Sequence, residues 1–176
     1  MKTLAFIVNL IGLFSVIIAS LLKGNKMAKT LILLWIGNFL VSMGYLLSGT
    51  GVAGAASGIL ACIQITVNYV FELKHSSLPK WLVAVYMISF AAVNIVLEGI
   101  AFSTALAILA CFCFVLSILQ KNGKNYRRCG IANTFIWSIY DIVTHSYNAL
   151  ITHSVLFVIN IIGVFIHDLK KEDQVK

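Results

Sequence analysis

The sequence is dominated by long apolar segments that contain almost no charged residue. A transmembrane α-helix needs about 20 consecutive, mainly apolar residues. Seven segments approach or reach that length: 3–22, 29–48, 51–72, 80–98, 100–119, 129–146 and 149–168. Charged residues make up 11% of the chain and apolar residues 60%, against about 25% and about 45–50% in soluble domains. We therefore predict an all-α polytopic membrane protein, with residues 1–176 forming a single transmembrane domain.

The first apolar segment also has the outline of a signal peptide, because Lys2 precedes it and Ala19-Ser20 ends it. However, the run is long, lysines follow it at once, and six further apolar segments come after it. We therefore expect a retained transmembrane helix.

Basic residues lie almost entirely on one side of the predicted spans. With seven spans, alternate loops and the C-terminal tail share a side, and that side carries 12 of the 13 Lys and Arg residues: Lys23, Lys26, Lys29, Lys74, Lys80, Lys121, Lys124, Arg127, Arg128, Lys170, Lys171 and Lys176. Cytoplasmic loops carry the excess of Lys and Arg. The N-terminus is therefore predicted outside and the C-terminus in the cytoplasm. This asymmetry explains the net charge of +7 without a nucleic-acid partner.

The two ends of the chain share a layout that indicates an internal repeat. Each has a helix, a short basic loop (LLKGNKMAK against LQKNGKNYRR), a second helix, a weakly polar hairpin and a third helix. At an offset of about 96, Ser57 matches His153 and Gln64 matches Asn160. We predict two parallel three-helix repeats, 1–75 and 100–170, joined by a linker helix within 76–99, a 3+1+3 arrangement.

Two segments resemble the YgjV family of bacterial inner-membrane proteins. They are YLLSGTGVAGAASGILACIQ (45–64) and the stretch from RRC (127–129) through Trp137 to INIIGVF (159–165). The resemblance implies a location in the bacterial cytoplasmic membrane and no settled substrate. The 3+1+3 layout is also similar to SWEET-type sugar facilitators and PnuC-type vitamin transporters. That likeness implies a small solute held between the third helices of the repeats, at Gln64 and Asn160, although the paired Pro-Gln motif of many SWEET relatives is absent.

The third span presents two faces with different expected roles. Gly54 and Gly58 form a small-residue face that permits close helix packing, within the chain or between copies in a homo-oligomer. A second stripe, at helical spacing, consists of Ser57, Ala61, Gln64, Asn68 and Glu72. A polar side chain at mid-membrane needs a partner. Gln64 therefore either bonds a neighbouring helix or faces a wet cavity, and the sequence leaves both open.

The sixth span carries a stripe of chemically unusual residues, Asn133, Trp137, Asp141 and His145, each four apart. At 1.5 Å per residue, Asp141 lies roughly 18 Å into the membrane if the span begins at Cys129. Ionisable groups at such depth usually face a bundle interior or water. The stripe is thus predicted to form a wall of an outward-opening vestibule, in which Trp137 stacks on a flat face of the solute and Asp141 takes hydrogen bonds or a proton. Asp141 and His145 are the candidates for proton coupling. The alternative is that these two side chains simply pair with each other at the helix end.

Polar residues of the other spans add little that is specific. Asn38 and Ser42 are four apart and either line the same cavity or bond neighbouring helices, as do Asn9 and Asn94. His153 is expected near the outer surface. The matched amides of Gln64 and Asn160 are neutral and offer both a donor and an acceptor, so they suit an uncharged polar solute.

Three functional classes follow from these features. A transporter or facilitator of a small, mostly neutral solute, such as a sugar, nucleoside or vitamin, fits the repeat and the polar stripes. A membrane scaffold or sensor is the alternative; a retinal protein is excluded because every lysine lies in a loop or at an end. No H-E-x-x-H or G-x-S-x-G motif indicates an enzyme. We expect no cofactor and no metal, and the lipid bilayer and the solute as partners.

Overall fold

The apolar segments of the sequence fold as a bundle of antiparallel neighbours. The computed structural model describes residues 2–22, 27–120 and 123–166. These residues form seven α-helices and no strand: α1 (Lys2–Leu21), α2 (Met27–Ser48), α3 (Val52–Leu73), α4 (Lys80–Glu98), α5 (Phe102–Ile118), α6 (Gly123–Val143) and α7 (Tyr147–Val164). Each helix overlaps a predicted apolar segment, and the all-α prediction is confirmed for the described residues. Outside the described residues lie Lys23, Lys26, Lys121, Lys170, Lys171 and Lys176, and the end of the second repeat.

The prediction was wrong at the start of α6. The basic residues Lys124, Arg127 and Arg128 were placed in a loop before residue 129, whereas they lie in the first two turns of the helix. Arg127 is only 4% exposed, and a Cβ added at Gly163 would lie 2.9 Å from its Cδ. The long arginine side chain thus packs its methylenes against α7, so a basic residue is accommodated within the helix.

Five of the helices are long and apolar enough to cross a membrane, namely α1, α2, α3, α4 and α7. The apolar helix α5 is shorter, with 17 residues, and α6 contains the charged residues Lys124, Arg127, Arg128 and Asp141. The outer surface carries exposed apolar side chains, among them Phe14, Ile88 and Val96. Buried positions include polar residues such as Ser42 and Asn94. This distribution suits a bundle that is surrounded by hydrocarbon.

The helices pack in two groups of three. Helix α2 contacts both α1 and α3, α6 contacts both α5 and α7, and α4 contacts α3 and α5. The two groups meet through contacts of α1 and α2 with α7 and of α3 with α5. A central space therefore lies between the two groups.

The small-residue face of α3 packs against α2. A Cβ added at Gly54 would lie 2.9 Å from the ring of Tyr45, and one at Gly58 would meet Ser42 Oγ and lie 3.2 Å from the carbonyl oxygen of Asn38. Neither position leaves room for a methyl group. The two glycines therefore serve close packing inside the chain, and they bring Tyr45 and Ser42 to the wall of the central space.

Candidate functional site

A cavity of about 100 Å³ occupies the centre of the bundle. Six helices, α1–α3 and α5–α7, contribute to its wall, with Phe90 added from α4. The polar lining residues are Ser20, Asn38, Ser42, Tyr45, Ser57, Cys111, Ser117, Tyr126, Asn133, Thr134, Trp137, Thr152, His153 and Asn160. No Lys, Arg, Asp or Glu is among the described residues that line it. The cavity thus offers hydrogen-bonding groups but no fixed charge apart from what His153 can carry.

Four of the residues predicted from sequence as solute-binding meet at this cavity, namely Asn38, Asn133, Trp137 and Asn160. Asn38 donates from Nδ2 to the Leu34 carbonyl at 2.8 Å, and Asn133 donates to the Ala110 carbonyl at 2.7 Å. These two amides are therefore partly committed to backbone groups.

Asn160 differs from the other cavity amides. It is 4% exposed, and its Oδ1 has no hydrogen-bond partner among the described residues. Burying an amide oxygen without a partner is unfavourable. Asn160 is thus a residue of the cavity wall whose buried amide oxygen has no partner among the described residues.

A hydrogen-bonded cluster of Tyr45, Asp141 and His153 lies beside the cavity. Tyr45 Oη donates to Asp141 Oδ1 at 2.6 Å, and His153 Nδ1 lies 2.6 Å from Asp141 Oδ2. Asp141 is fully buried and is not part of the cavity wall, whereas Tyr45 and His153 are. Both carboxyl oxygens are therefore used to hold two wall residues, one from α2 and one from α7.

The cluster orients His153 at the cavity wall. Its Nδ1 lies 2.6 Å from Asp141 Oδ2, so this nitrogen is committed to the carboxyl group. The opposite nitrogen, Nε2, accepts a hydrogen bond in the neutral tautomer with the proton on Nδ1 and donates one in the imidazolium form. His153 thus adds a second polar group to the cavity wall beside Asn160.

Trp137 packs against this cluster. Its ring stacks on His153 with centroids 5.7 Å apart and an interplanar angle of 15°, and meets Tyr140 edge-on at 5.1 Å. Tyr140 in turn donates to Glu98 Oε1 at 2.7 Å, which ties α6 to the end of α4. The sequence predicts that Trp137 stacks on a solute. In the structure one indole face is already covered by His153, so its role in the wall is at least partly to hold that imidazole.

The predicted vestibule stripe on α6 does not act as a unit. Asn133 and Trp137 line the cavity, Asp141 is buried behind it, and His145 is exposed at the helix end. His145 has a left-handed backbone with φ 56 and lies 3.1 Å from Tyr147 Oη through Nδ1. The predicted pairing of Asp141 with His145 is therefore wrong. The turn after α6 directs the two side chains apart, and His153, expected at the surface, takes the place of His145.

The polar stripe of α3 reaches beyond the cavity. Gln64 is fully buried, neither of its amide atoms has a partner among the described residues, and it is not part of the cavity wall. Asn68 lines a separate pocket near the end of α3. The structure thus places Asn160 at the central cavity but not Gln64, although the likeness to SWEET-type and PnuC-type transporters implies both there.

Two central residues of the site, Tyr45 and His153, were missed as site residues by the sequence reasoning. The repeat contained a usable signal, because Tyr45 and Asp141 are separated by 96 residues, the offset of the predicted repeat. Equivalent positions of a two-fold arrangement can touch only close to its axis. A polar pair at that offset was therefore a candidate for a contact at the centre.

The comparisons with known proteins assign the chain to a family. The Imp-YgjV family, described as bacterial inner membrane protein, matches residues 5–171. The matched range reaches all seven helices, so the resemblance predicted from the two sequence segments is confirmed. Searches among curated proteins and among solved structures gave no match. The chain belongs to the Imp-YgjV family of bacterial inner-membrane proteins.

Proposed function

We propose that this protein is a facilitator of a small, neutral, polar solute, which passes through the central cavity. The observation that carries the proposal is the wall of that cavity, in which the described residues of all seven helices combine apolar side chains with polar ones and include no Lys, Arg, Asp or Glu. Ligand sites commonly combine apolar walls with a few placed polar groups. The amide of Asn160 and the imidazole of His153, both in the cavity wall, favour a solute that has hydroxyl or N–H groups, such as a sugar, a nucleoside or an uncharged vitamin.

The size of the cavity implies that the helices move during transport. A cavity of about 150 Å³ holds a benzene molecule, so the cavity of about 100 Å³ is too small for a sugar in this conformation. It has room for several waters. A larger solute requires the two groups of helices to separate, which fits alternating access by two bodies that rock against each other.

Several features support the parallel repeat on which such rocking depends. The left-handed residues after α2 and α6, Gly49 and His145, are 96 residues apart, which is the offset of the predicted repeat. The contact of α1 with α7 corresponds, under exchange of the repeats, to that of α5 with α3, and both are present. We infer from these matches a 3+1+3 arrangement with its axis near the Tyr45–Asp141 bond.

The proposal includes an orientation and a mode of transport. We place the end that carries the α3–α4 loop, with Lys74 and Lys80, in the cytoplasm, because basic residues favour that side. We propose passage without proton coupling and without chemical conversion of the solute. Asp141 is buried outside the cavity wall and is held by Tyr45 and His153, which supports a structural role for this carboxyl group.

A thermal-stability screen of the detergent-purified protein against sugars, nucleosides and B-type vitamins tests the proposal. A ligand at 100 times its Kd adds about 2.7 kcal/mol of stability. We expect a shift with one class, which is lost in Asn160→Ala and retained in Ser154→Ala, a change at an exposed polar residue of the same helix. No shift with any compound would instead favour the scaffold or sensor function.

A further inference from the structure

A second polar pocket lies at the end of the bundle that holds the α3–α4 loop. Its volume is about 210 Å³, and it is lined by the start of α2, the end of α3, the α3–α4 loop and the end of α5. Asn68 is 8% exposed, and its Oδ1 has no partner among the described residues. The exposed carboxylate of Glu72 lies one turn further along α3 and also lines the pocket. The pocket lining therefore combines an amide whose oxygen has no partner among the described residues with a carboxylate.

One apolar layer separates this pocket from the central cavity. The layer is a packed cluster of buried residues: Ala19, Leu31, Leu34, Ile65 and Ile118. Leu34 lines the central cavity, whereas Leu31 and Ile118 line the second pocket. On α5, Ser117 lines the central cavity and the next residue, Ile118, lines the second pocket. The apolar layer thus has a cavity on each side.

Gln64 lies beside this apolar layer. On α3, Ala61 faces the central cavity, Asn68 faces the second pocket, and Gln64 lies between them on the same side of the helix. It is fully buried next to Ile65 of the apolar layer, and neither of its amide atoms has a partner in residues 2–22, 27–120 and 123–166. A buried amide without hydrogen bonds is unfavourable unless another conformation or a ligand satisfies it.

We propose that the pocket at Asn68 is a second binding site for the same donor-bearing solute, reached from the central cavity past Gln64 when the apolar layer opens. The proposal rests on the proposed function, since it extends the path of that solute. The order along α3 is then Ser57 in the cavity, Gln64 at the closed layer and Asn68 in the inner site. Gln64 hydrogen-bonds the solute during passage, which gives its unpaired amide a partner.

Cysteine accessibility tests this path without knowledge of the solute. The four native cysteines are replaced by alanine, and single cysteines are treated with a membrane-impermeant cationic methanethiosulfonate from either face of sealed vesicles. Lys74→Cys marks the face of the α3–α4 loop, and Ile100→Cys, at a residue 98% exposed, marks the opposite face. We expect Asn68→Cys to react at least tenfold faster from the Lys74 face. Ser57→Cys is expected to be unreactive from that face.

Opening the layer should connect the two spaces. We expect Leu34→Ala with Ile65→Ala to raise the reaction of Ser57→Cys from the Lys74 face at least tenfold. The matched controls are Ile32→Ala and Ile63→Ala, at exposed positions of the same helices, which should leave that rate unchanged.

Two results would overturn the path: no reaction of Asn68→Cys from the Lys74 face, or no gain for Ser57→Cys in the opened variant. The first requires no change in the core, so it decides the inner site even if the opened variant does not fold. These readouts are independent of solute flux. Normal flux with failed labelling therefore refutes the path alone, whereas absent flux with the expected labelling refutes the proposed function.

Discussion

Gln64 and Asn94 form a matched pair of buried amides with opposite expected responses to substitution. Both are fully buried. Asn94 Nδ2 donates to Ser57 Oγ at 2.9 Å and to the Phe90 carbonyl at 2.7 Å, whereas neither amide atom of Gln64 has a partner within the part of the chain that the structure describes. An unsatisfied buried polar group costs about 1–3 kcal/mol. Gln64→Met should therefore raise the free energy of unfolding by about 1–3 kcal/mol, because an apolar chain of similar length removes that cost.

The control, Asn94→Leu, should lower the free energy of unfolding by a similar amount, since Ser57 loses its buried partner. Thermal unfolding of both variants in the same detergent measures the difference. Gln64→Met should also reduce solute flux, because the amide is proposed to bond the solute in passage. A loss of stability in Gln64→Met equal to that in Asn94→Leu would refute the reasoning, since Gln64 would then have a structural partner.

Three further changes test other parts of the site. Tyr45→Phe leaves an oxygen of the buried Asp141 without its donor and should cost about 1–3 kcal/mol in unfolding free energy, whereas Tyr147→Phe at an exposed residue should cost almost nothing; equal effects would contradict the cluster. Gly58→Ala should cost about 1–3 kcal/mol by overpacking α2 against α3, and added Ser42→Ala should recover part of that loss in the same unfolding assay. The rate of uptake should not depend on a pH gradient, either in the parent protein or in Asp141→Asn. A gradient-dependent rate in the parent would show proton coupling.

The helices were predictable because hydrocarbon imposes a simple requirement on the sequence. A span needs an apolar run of fixed length, and such runs stand out even without knowledge of their packing. The exception is α6, because hydropathy predicts that this span begins only after its basic residues. Burial of Arg127 against α7 depends on tertiary packing, which hydropathy does not describe.

The site was only partly predictable because its key contacts are distant in sequence. The spacing of Asp141 and His145 suggested a pair within one helix, but the partners of Asp141 are 96 and 12 residues away, on α2 and α7. Likewise, sequence placed Gln64 at mid-span but did not show whether a cavity or apolar side chains surround it. Periodicity identifies the side of a helix; the partner on that side is set by how the helices pack.

The most direct test of the central claim is solute flux into proteoliposomes that contain the purified protein. The panel consists of labelled neutral sugars, nucleosides and B-type vitamins, with empty liposomes as the baseline. We predict saturable uptake of one class, reduced at least tenfold in Asn160→Ala and unchanged in Ser154→Ala. Uptake that never exceeds the baseline, or that is equal in the two variants, would contradict a solute path through the central cavity.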